Sequence, residues 1–330
     1  MHLLGMAMGA AVKAVRCVRR KKDRDLNNNK KKNTKKKGDL NNGECLTRPN
    51  SHGTTGGRSF SFEEMLVATR YFSETRVIGS GGKGRVFRGV VVDVDGKHDT
   101  EVAIKRAHPS PGQSAREFRA EIESLCKVRH RHLVLLLGSC SSNKDGETLL
   151  VYRYMPRGTL RDHLMTSGAG AKPAGMPWWR RLDACMGAAR GLHCLHAGGV
   201  VHGAVKASNV LLDDSRVAKL SDYGLSKGAT MESDVYSFGV LLFEVLMAWL
   251  RGDMARGLAD YALECHGNGT LIDAVDPAIK DQVTPECLEK FAETAVECLA
   301  GNGMERPAMG DVLWNLELAV QLQLLNSKRT

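Results

Sequence analysis

The spacing of hydrophobic positions changes character along the chain. In the first 20 residues, MHLLGMAMGAAVKAVRCVRR, Leu4, Met8, Ala11, Val15 and Val18 share one helical face and Lys13, Arg16 and Arg20 the opposite one. That spacing predicts an interfacial amphipathic helix. KKDRDLNNNKKKNTKKK follows with nothing to bury, so disorder is expected as far as the glycine-rich SHGTTGGRS. Ordered structure is expected from near Phe60, with a helix over Phe62 to Arg70. The runs VIGSGGKGRVFRGVVV and EVAIKRA then read as strands, followed by a helix from about Ser114 to Lys127 and two more strands, HLVLLLGSC and TLLVYRYM. Beyond them WWRRLDACMGAARGLHCLH, ESDVYSFGVLLFEVLMAWL, PECLEKFAETAVECLA and MGDVLWNLELAVQLQLL read as helices. The order predicts an α+β protein: a small mixed lobe, then a mostly helical one, with no internal repeat.

Composition adds three constraints. With 330 residues and 42% hydrophobic content, the chain can build a real core in one large two-lobed domain or two ordinary ones. The net charge of +10 lies entirely in the tail, because residues 1–40 hold 13 Lys/Arg against 3 Asp while the remainder balances. The nine cysteines are scattered without a C-x-x-C pair, which fits free thiols in a reducing compartment such as the cytosol. No run approaches the roughly 20 apolar residues that cross a bilayer. A signal peptide is also disfavoured, since the basic residues follow the apolar stretch instead of preceding it.

The chemistry begins at VIGSGGKGRV, where Gly79, Gly81, Gly84 and Val86 match G-x-G-x-x-G-x-V between two strands. Glycine lets a backbone approach phosphates closely, but the same pattern alone would also describe a plain hairpin. The next strand decides between them. V-A-I-K, Val102 to Lys105, sets an ammonium where it can reach phosphates, and Glu121 follows on the expected helix at a spacing suited to an ion pair. Further on, His202, Lys206 and Asn209 keep the frame of H-R-D-L-x-x-x-N, and Asp222-Tyr223-Gly224 stands where D-F-G would supply a magnesium ligand.

In this order the motifs resemble the protein-kinase family. The strings RSFSFEEMLVATRYF, EVAIKRAHP, RHRHLVLLLGSC, LVYRYMPRGTLRDHL, GAARGLHCLH, ESDVYSFGVLLFEVL and ERPAMGDVLWNLELAVQLQ are similar to plant receptor-like kinases of the malectin-domain (Catharanthus roseus receptor-like kinase) type. The resemblance implies a bilobal kinase-like domain over residues 58–323, the N-lobe about 72–154 and the C-lobe about 155–323, between a basic tail (1–57) and a short C-terminal tail (324–330). It covers only the cytoplasmic kinase region of such receptors. ATP and Mg²⁺ are the implied cofactors. Val86, Ala103 and Leu211 would enclose the adenine, Tyr152 to Met155 would form the hinge, and Asn209 and Asp222 would hold the metal.

Three departures bear on activity. Ala204 stands where the catalytic aspartate belongs, although Lys206 is retained, and Gly203 replaces the neighbouring arginine. Only Leu225 to Met231 separate Gly224 from ESDVYSFG, and no A-P-E follows; seven extended residues span at most about 25 Å, too little for an activation segment. The expectation is therefore a pseudokinase that binds Mg·ATP and acts through other signalling proteins or receptor kinases. The alternatives are an active Ser/Thr protein kinase and a truncated product that does not fold. Arg306, without the A-P-E glutamate that pairs with it in the family, is expected either to turn to solvent or to take Glu305 or Asp311. The tail is expected to bind anionic lipid at the inner face of the plasma membrane, with Cys17 a candidate for acylation. Nucleic acid is disfavoured, because residues 1–59 contain no aromatic ring to stack on bases.

Overall fold

Alternation along the strand Val102-Ala103-Ile104-Lys105 explains how the first lobe is built. Successive strand side chains point to opposite faces. Val102 and Ile104 are buried with Phe60, Met65, Leu149 and Val151 in one cluster. Ala103 and Lys105 face the other way, opposite Tyr152 and Leu150 of a neighbouring strand, and those two belong to the larger core that continues into the helical lobe. One strand thus serves two cores.

The protein is described here by a computed structural model. It covers residues 57–81, 84–92, 98–107, 122–123, 125–141, 148–165, 175–224, 228–248 and 257–326. The amphipathic and basic tail lies outside the described residues. In chain order the strands of the first lobe are β1 (Arg58–Ser59), β2 (Val77–Gly81), β3 (Gly84–Val92), β4 (Asp99–Ala107), β5 (Leu136–Ser141) and β6 (Thr148–Arg153). They form a sheet in the order β1-β5-β6-β4-β3-β2, antiparallel except where β1 joins β5 in parallel. Helix α1 (Phe62–Ala68) opens with a Ser61/Glu64 capping box and packs Met65 and Ala68 on the sheet. It ends two residues before the expected Arg70, because the Thr69 hydroxyl bonds back to the Met65 carbonyl at 2.7 Å and Arg70, Tyr71 and Phe72 all adopt positive φ. Both β1 and α1 precede residue 72, where the first lobe is expected to begin, and pack on its sheet.

The second lobe comprises α2 (Leu160–Met165), α3 (Trp178–Ala197), the hairpin β7 (Val210–Leu212) and β8 (Ala218–Leu220), α4 (Met231–Met247), α5 (Leu258–Gly267), α6 (Leu271–Ala274), α7 (Pro285–Cys298) and α8 (Met309–Asn326). The fold is thus α+β, with a small β-sheet lobe and a helical lobe. Helix α4 is buried over most of its circumference, as an apolar helix should be. A fully buried ion pair, Arg181 with Asp276, ties α3 to the segment after α6, and Arg181 also donates to the carbonyls of Val245 (2.9 Å) and Met176 (2.9 Å). Such a pair is tolerable in a core only when its remaining polar atoms are satisfied. Trp178 stacks edge-on against Phe291 and donates to Gln323 at 3.0 Å, joining α3, α7 and α8. Among the described residues no helix is long and apolar enough to cross a membrane.

Candidate functional site

The sheet register places several of the sequence-selected residues side by side. Gly79 lies opposite Val86, Val86 opposite Lys105, and Ala103 opposite Tyr152 at the start of the expected hinge. Ala103 and Leu211 pack against the core cluster that contains Tyr152 and the buried Met155. Gly84, with φ of +105°, is required by the fold, since a Cβ there would meet the Arg106 carbonyl oxygen at 2.5 Å. Gly79 is different: a Cβ there would meet only Val86, at an ordinary 3.7 Å. Among the described residues nothing else approaches that space.

Lys105 is buried, and its Nζ lies 2.7 Å from Asp222 Oδ2. This joins β4 to the loop after β8, the contact a phosphate-binding lysine and a metal-binding aspartate would make before a ligand intervenes. Glu121, the expected partner of Lys105, lies outside the described residues, as do residues 82 and 83. Asp222 adopts φ of +61°, a left-handed conformation that aspartate tolerates better than most residues. Behind it Tyr223 is buried, donates its hydroxyl to the Val134 carbonyl at 2.9 Å and packs edge-on against His202.

The loop His202–Asn209 is organised by a residue that the sequence reading quoted but gave no role. Asp234, in the first turn of α4 and 1% exposed, accepts the backbone N–H of His202 at 2.7 Å through Oδ2 and that of Gly203 at 2.7 Å through Oδ1. His196 lies 3.0 Å from the same carboxylate. An acid in the first turn of an otherwise apolar helix was the available signal, because a carboxylate there is placed to satisfy backbone donors. Gly203 has φ of +73°, a conformation that costs an L-residue roughly 1–2 kcal/mol. Asn209, also buried, donates its Nδ2 to the Ala204 carbonyl at 2.7 Å, which leaves its Oδ1 as an acceptor. Ser221 donates both its N–H (2.9 Å) and its hydroxyl (3.0 Å) to the Asn209 carbonyl, so the residue next to Asp222 is tied to Asn209.

Ala204 sits half-buried inside this intact frame. The carboxylates that reach the loop already have partners: Asp234 as described, and Glu244, whose Oε2 accepts the Ala207 N–H at 3.3 Å and whose carboxyl is raised above its usual pKa by burial. Lys206 is exposed.

The donor set fits a magnesium nucleotide. Mg²⁺ takes oxygen ligands and keeps several waters, so one carboxylate (Asp222), one amide oxygen (Asn209) and phosphate oxygens form a suitable set. Lys105 and the open backbone at Gly79 suit the phosphates. Among the described residues no group of three His, Cys, Asp or Glu side chains forms a protein-only metal cage.

The shortened connection has consequences in α4. The helix starts at Met231 behind a capping box in which Thr230 and Ser233 bond reciprocally at 3.2 and 3.0 Å; residues 225–227 lie outside the described residues. Arg306 stays half-exposed, but its partners are carbonyls instead of the expected Glu305 or Asp311. It donates to the carbonyls of Ala300 (2.8 Å), Glu232 (2.9 Å) and Gly301 (3.4 Å), and stacks 5.0 Å from the Tyr236 ring centre. Five donors on a planar fork let arginine exchange one ionic partner for several carbonyls.

A six-stranded sheet with a phosphate-type glycine loop and a buried lysine, set against a helical lobe with an H-x-x-x-K-x-x-N loop, defines a protein-kinase fold. Residues 72–230 match the family described as protein tyrosine and serine/threonine kinase. The receptor-like protein kinase FERONIA of Arabidopsis thaliana is 47% identical over 303 residues, taking in 81% of this chain and 33% of that protein. ANXUR2 from the same plant is 45% identical over 303 residues (81% and 34%), and THESEUS 1 is 42% identical over 320 residues (86% and 36%). The kinase region of the chain matches the protein-kinase family and is of the kind carried by these plant receptor-like kinases. It spans about a third of the length of the curated relatives it matches. The alignment to FERONIA runs over more positions than 81% of a 330-residue chain can fill, so that relative carries residues that this chain lacks.

Proposed function

We propose that the chain is a pseudokinase of the receptor-like Ser/Thr class, which binds Mg·ATP and signals through interaction instead of phosphoryl transfer. One observation carries this reading: Ala204 occupies the base position in a loop whose backbone is held by Asp234 at one end and Asn209 at the other. The frame is kept and the proton acceptor is gone. A general base contributes roughly 10²–10⁴ in rate, and positioning of the reactants roughly 7–11 kcal/mol of the barrier. The seven residues between Gly224 and Glu232 are too few for a peptide-docking platform, so both contributions are reduced together.

When bound, the metal would neutralise charge on the phosphates. The chain's part is to hold it. Lys105 would leave Asp222 for the phosphates, Asp222 and the Asn209 Oδ1 would take the metal, and Val86, Ala103 and Leu211 would enclose the base beside Tyr152–Met155. Glu121 would hold Lys105 in place. The basic tail, at about 1 kcal/mol per basic residue close to an anionic surface, would keep the protein at the inner face of the plasma membrane.

A melt of the full chain with and without Mg·ATP, run beside a phosphotransfer assay, tests the nucleotide reading. Ligand at 100 times its dissociation constant should stabilise the fold by about 2.7 kcal/mol. Lys105→Met should lose that gain, and no phosphate should reach a peptide. An unshifted melt would make the surviving motifs relics, whereas robust transfer would restore the enzyme reading.

A further inference from the structure

A cavity of about 150 Å³ lies in the helical lobe, where α2, the start of α3 and the β7–β8 turn meet. None of its lining residues belongs to the proposed nucleotide site. Its floor is apolar, with Met176, Pro177 and Leu212, and two cationic side chains, Arg180 and Arg216, line it together with His163. It is far larger than the about 10–15 Å³ that a single water needs. Among the described residues no lining residue is acidic.

The neighbouring carboxylates are either engaged elsewhere or exposed. Asp162 accepts the Thr159 N–H at 3.0 Å, and Asp213 accepts that of Val217 at 2.9 Å and lies 3.6 Å from Lys219. Asp183, one turn along α3 from Arg180, and Asp214, in the turn that holds Arg216, are exposed. Among the described residues neither Arg180 nor Arg216 takes part in an ion pair. Arg180 instead lies 4.1 Å from the ring centre of Trp179, which is 58% exposed.

We propose that this cavity is a docking site for an acidic peptide, in which a phosphorylated serine engages Arg180 and Arg216 while an adjacent apolar side chain enters the floor. Charge complementarity argues for an anion. Guanidinium forks match phosphate and carboxylate oxygens two at a time. The apolar floor argues against free phosphate as the whole ligand, and the concave shape argues against a flat bilayer. Exposed tryptophan and arginine side by side are the residue types that dominate protein-binding hot spots.

The test uses the full chain and a short fluorescein-labelled peptide carrying one phosphoserine beside a leucine and flanked by glutamates, followed by anisotropy. The double variant Arg180→Ala/Arg216→Ala should weaken binding at least about tenfold, with an unchanged melting temperature. Replacing the leucine of the peptide with serine should weaken it as well. Arg70→Ala, a cation on the other lobe, should leave binding unchanged. Should the double variant lower the melting temperature, Arg180→Lys/Arg216→Lys keeps the charge but removes the fork, and it too should bind more weakly. Peptide binding that survives both double variants overturns the proposal. So does a leucine-independent peptide displaced equally well by inorganic phosphate, which would make this an anion site only. Binding to phosphatidylserine vesicles that depends on the two arginines, while peptide binding does not, would assign the cavity to lipid and overturn it equally.

Discussion

Two glycines and one aspartate carry most of the argument at the scale of single residues, and they separate cleanly by cause. At Gly84 a side chain would strike the Arg106 carbonyl, so Gly84→Ala should destabilise the first lobe whether or not nucleotide is present. At Gly79 a methyl group meets nothing closer than 3.7 Å, so Gly79→Ala should melt like the parent yet lose the stabilisation by Mg·ATP. If both variants melt alike and bind alike, the glycine loop has no ligand role. Asp234 supports the catalytic-type loop through two backbone donors. Asp234→Ala would leave them buried without an acceptor, and by analogy with broken buried polar pairs it should cost about 3–5 kcal/mol in urea unfolding. A loss below about 1 kcal/mol would mean that the loop holds its shape without this carboxylate.

Among the elements, the turn at residues 129–132 ahead of β5 gives the protein a pH dependence. Burial, with His132, Lys219, Arg190 and His193 nearby, lowers the His130 pKa to about 4, and burial lowers that of His132 in the same direction. A histidine whose folded pKa lies below its unfolded value takes up its proton more readily in the unfolded chain. Acid therefore favours unfolding: the contribution is complete above about pH 6.5 and is lost as the pH falls towards about 4. His130→Gln should accordingly flatten the fall in melting temperature across that window, and an unchanged slope would show that other groups govern it.

The same scale shows what the sequence made legible. Strands long enough to alternate, as in EVAIKRA, and helices of four or more turns, as in α3, α4, α7 and α8, were found close to their observed positions, because period is a signal that accumulates with length. The hairpin β7–β8 has strands of only three residues, too short to show a period. Helix α2 is a turn and a half long, and β1 pairs through two residues. The glycines, Lys105, Asn209 and Asp222 were legible as a set because their spacing is tied to backbone geometry. The role of Asp234 was not, because its partners lie about 30 residues earlier in the chain and are backbone donors, which leave no side-chain trace.

For the whole molecule the question is whether one substitution could return it to catalysis. Ala204→Asp restores a carboxylate at a position whose backbone N–H and carbonyl are already tied to His202 and Asn209, so the new side chain should be accommodated with little change in stability. Adding Gly203→Arg is a different matter, because φ is +73° there and the strain should cost roughly 1–2 kcal/mol. Neither change supplies the surface that holds an accepting hydroxyl in line with the γ-phosphate, and a base accelerates transfer only when that hydroxyl is held. That surface would have to come from the stretch between Gly224 and the capping box at Thr230, which is only a few residues long. Ala204→Asp should therefore leave peptide phosphorylation at background while preserving any stabilisation by Mg·ATP, and activity should also require insertion of a full activation segment before Thr230. Transfer above background by Ala204→Asp alone, measured with labelled ATP and a serine peptide, would show that the short connection suffices to position a substrate and that this chain lies a single residue away from being an enzyme.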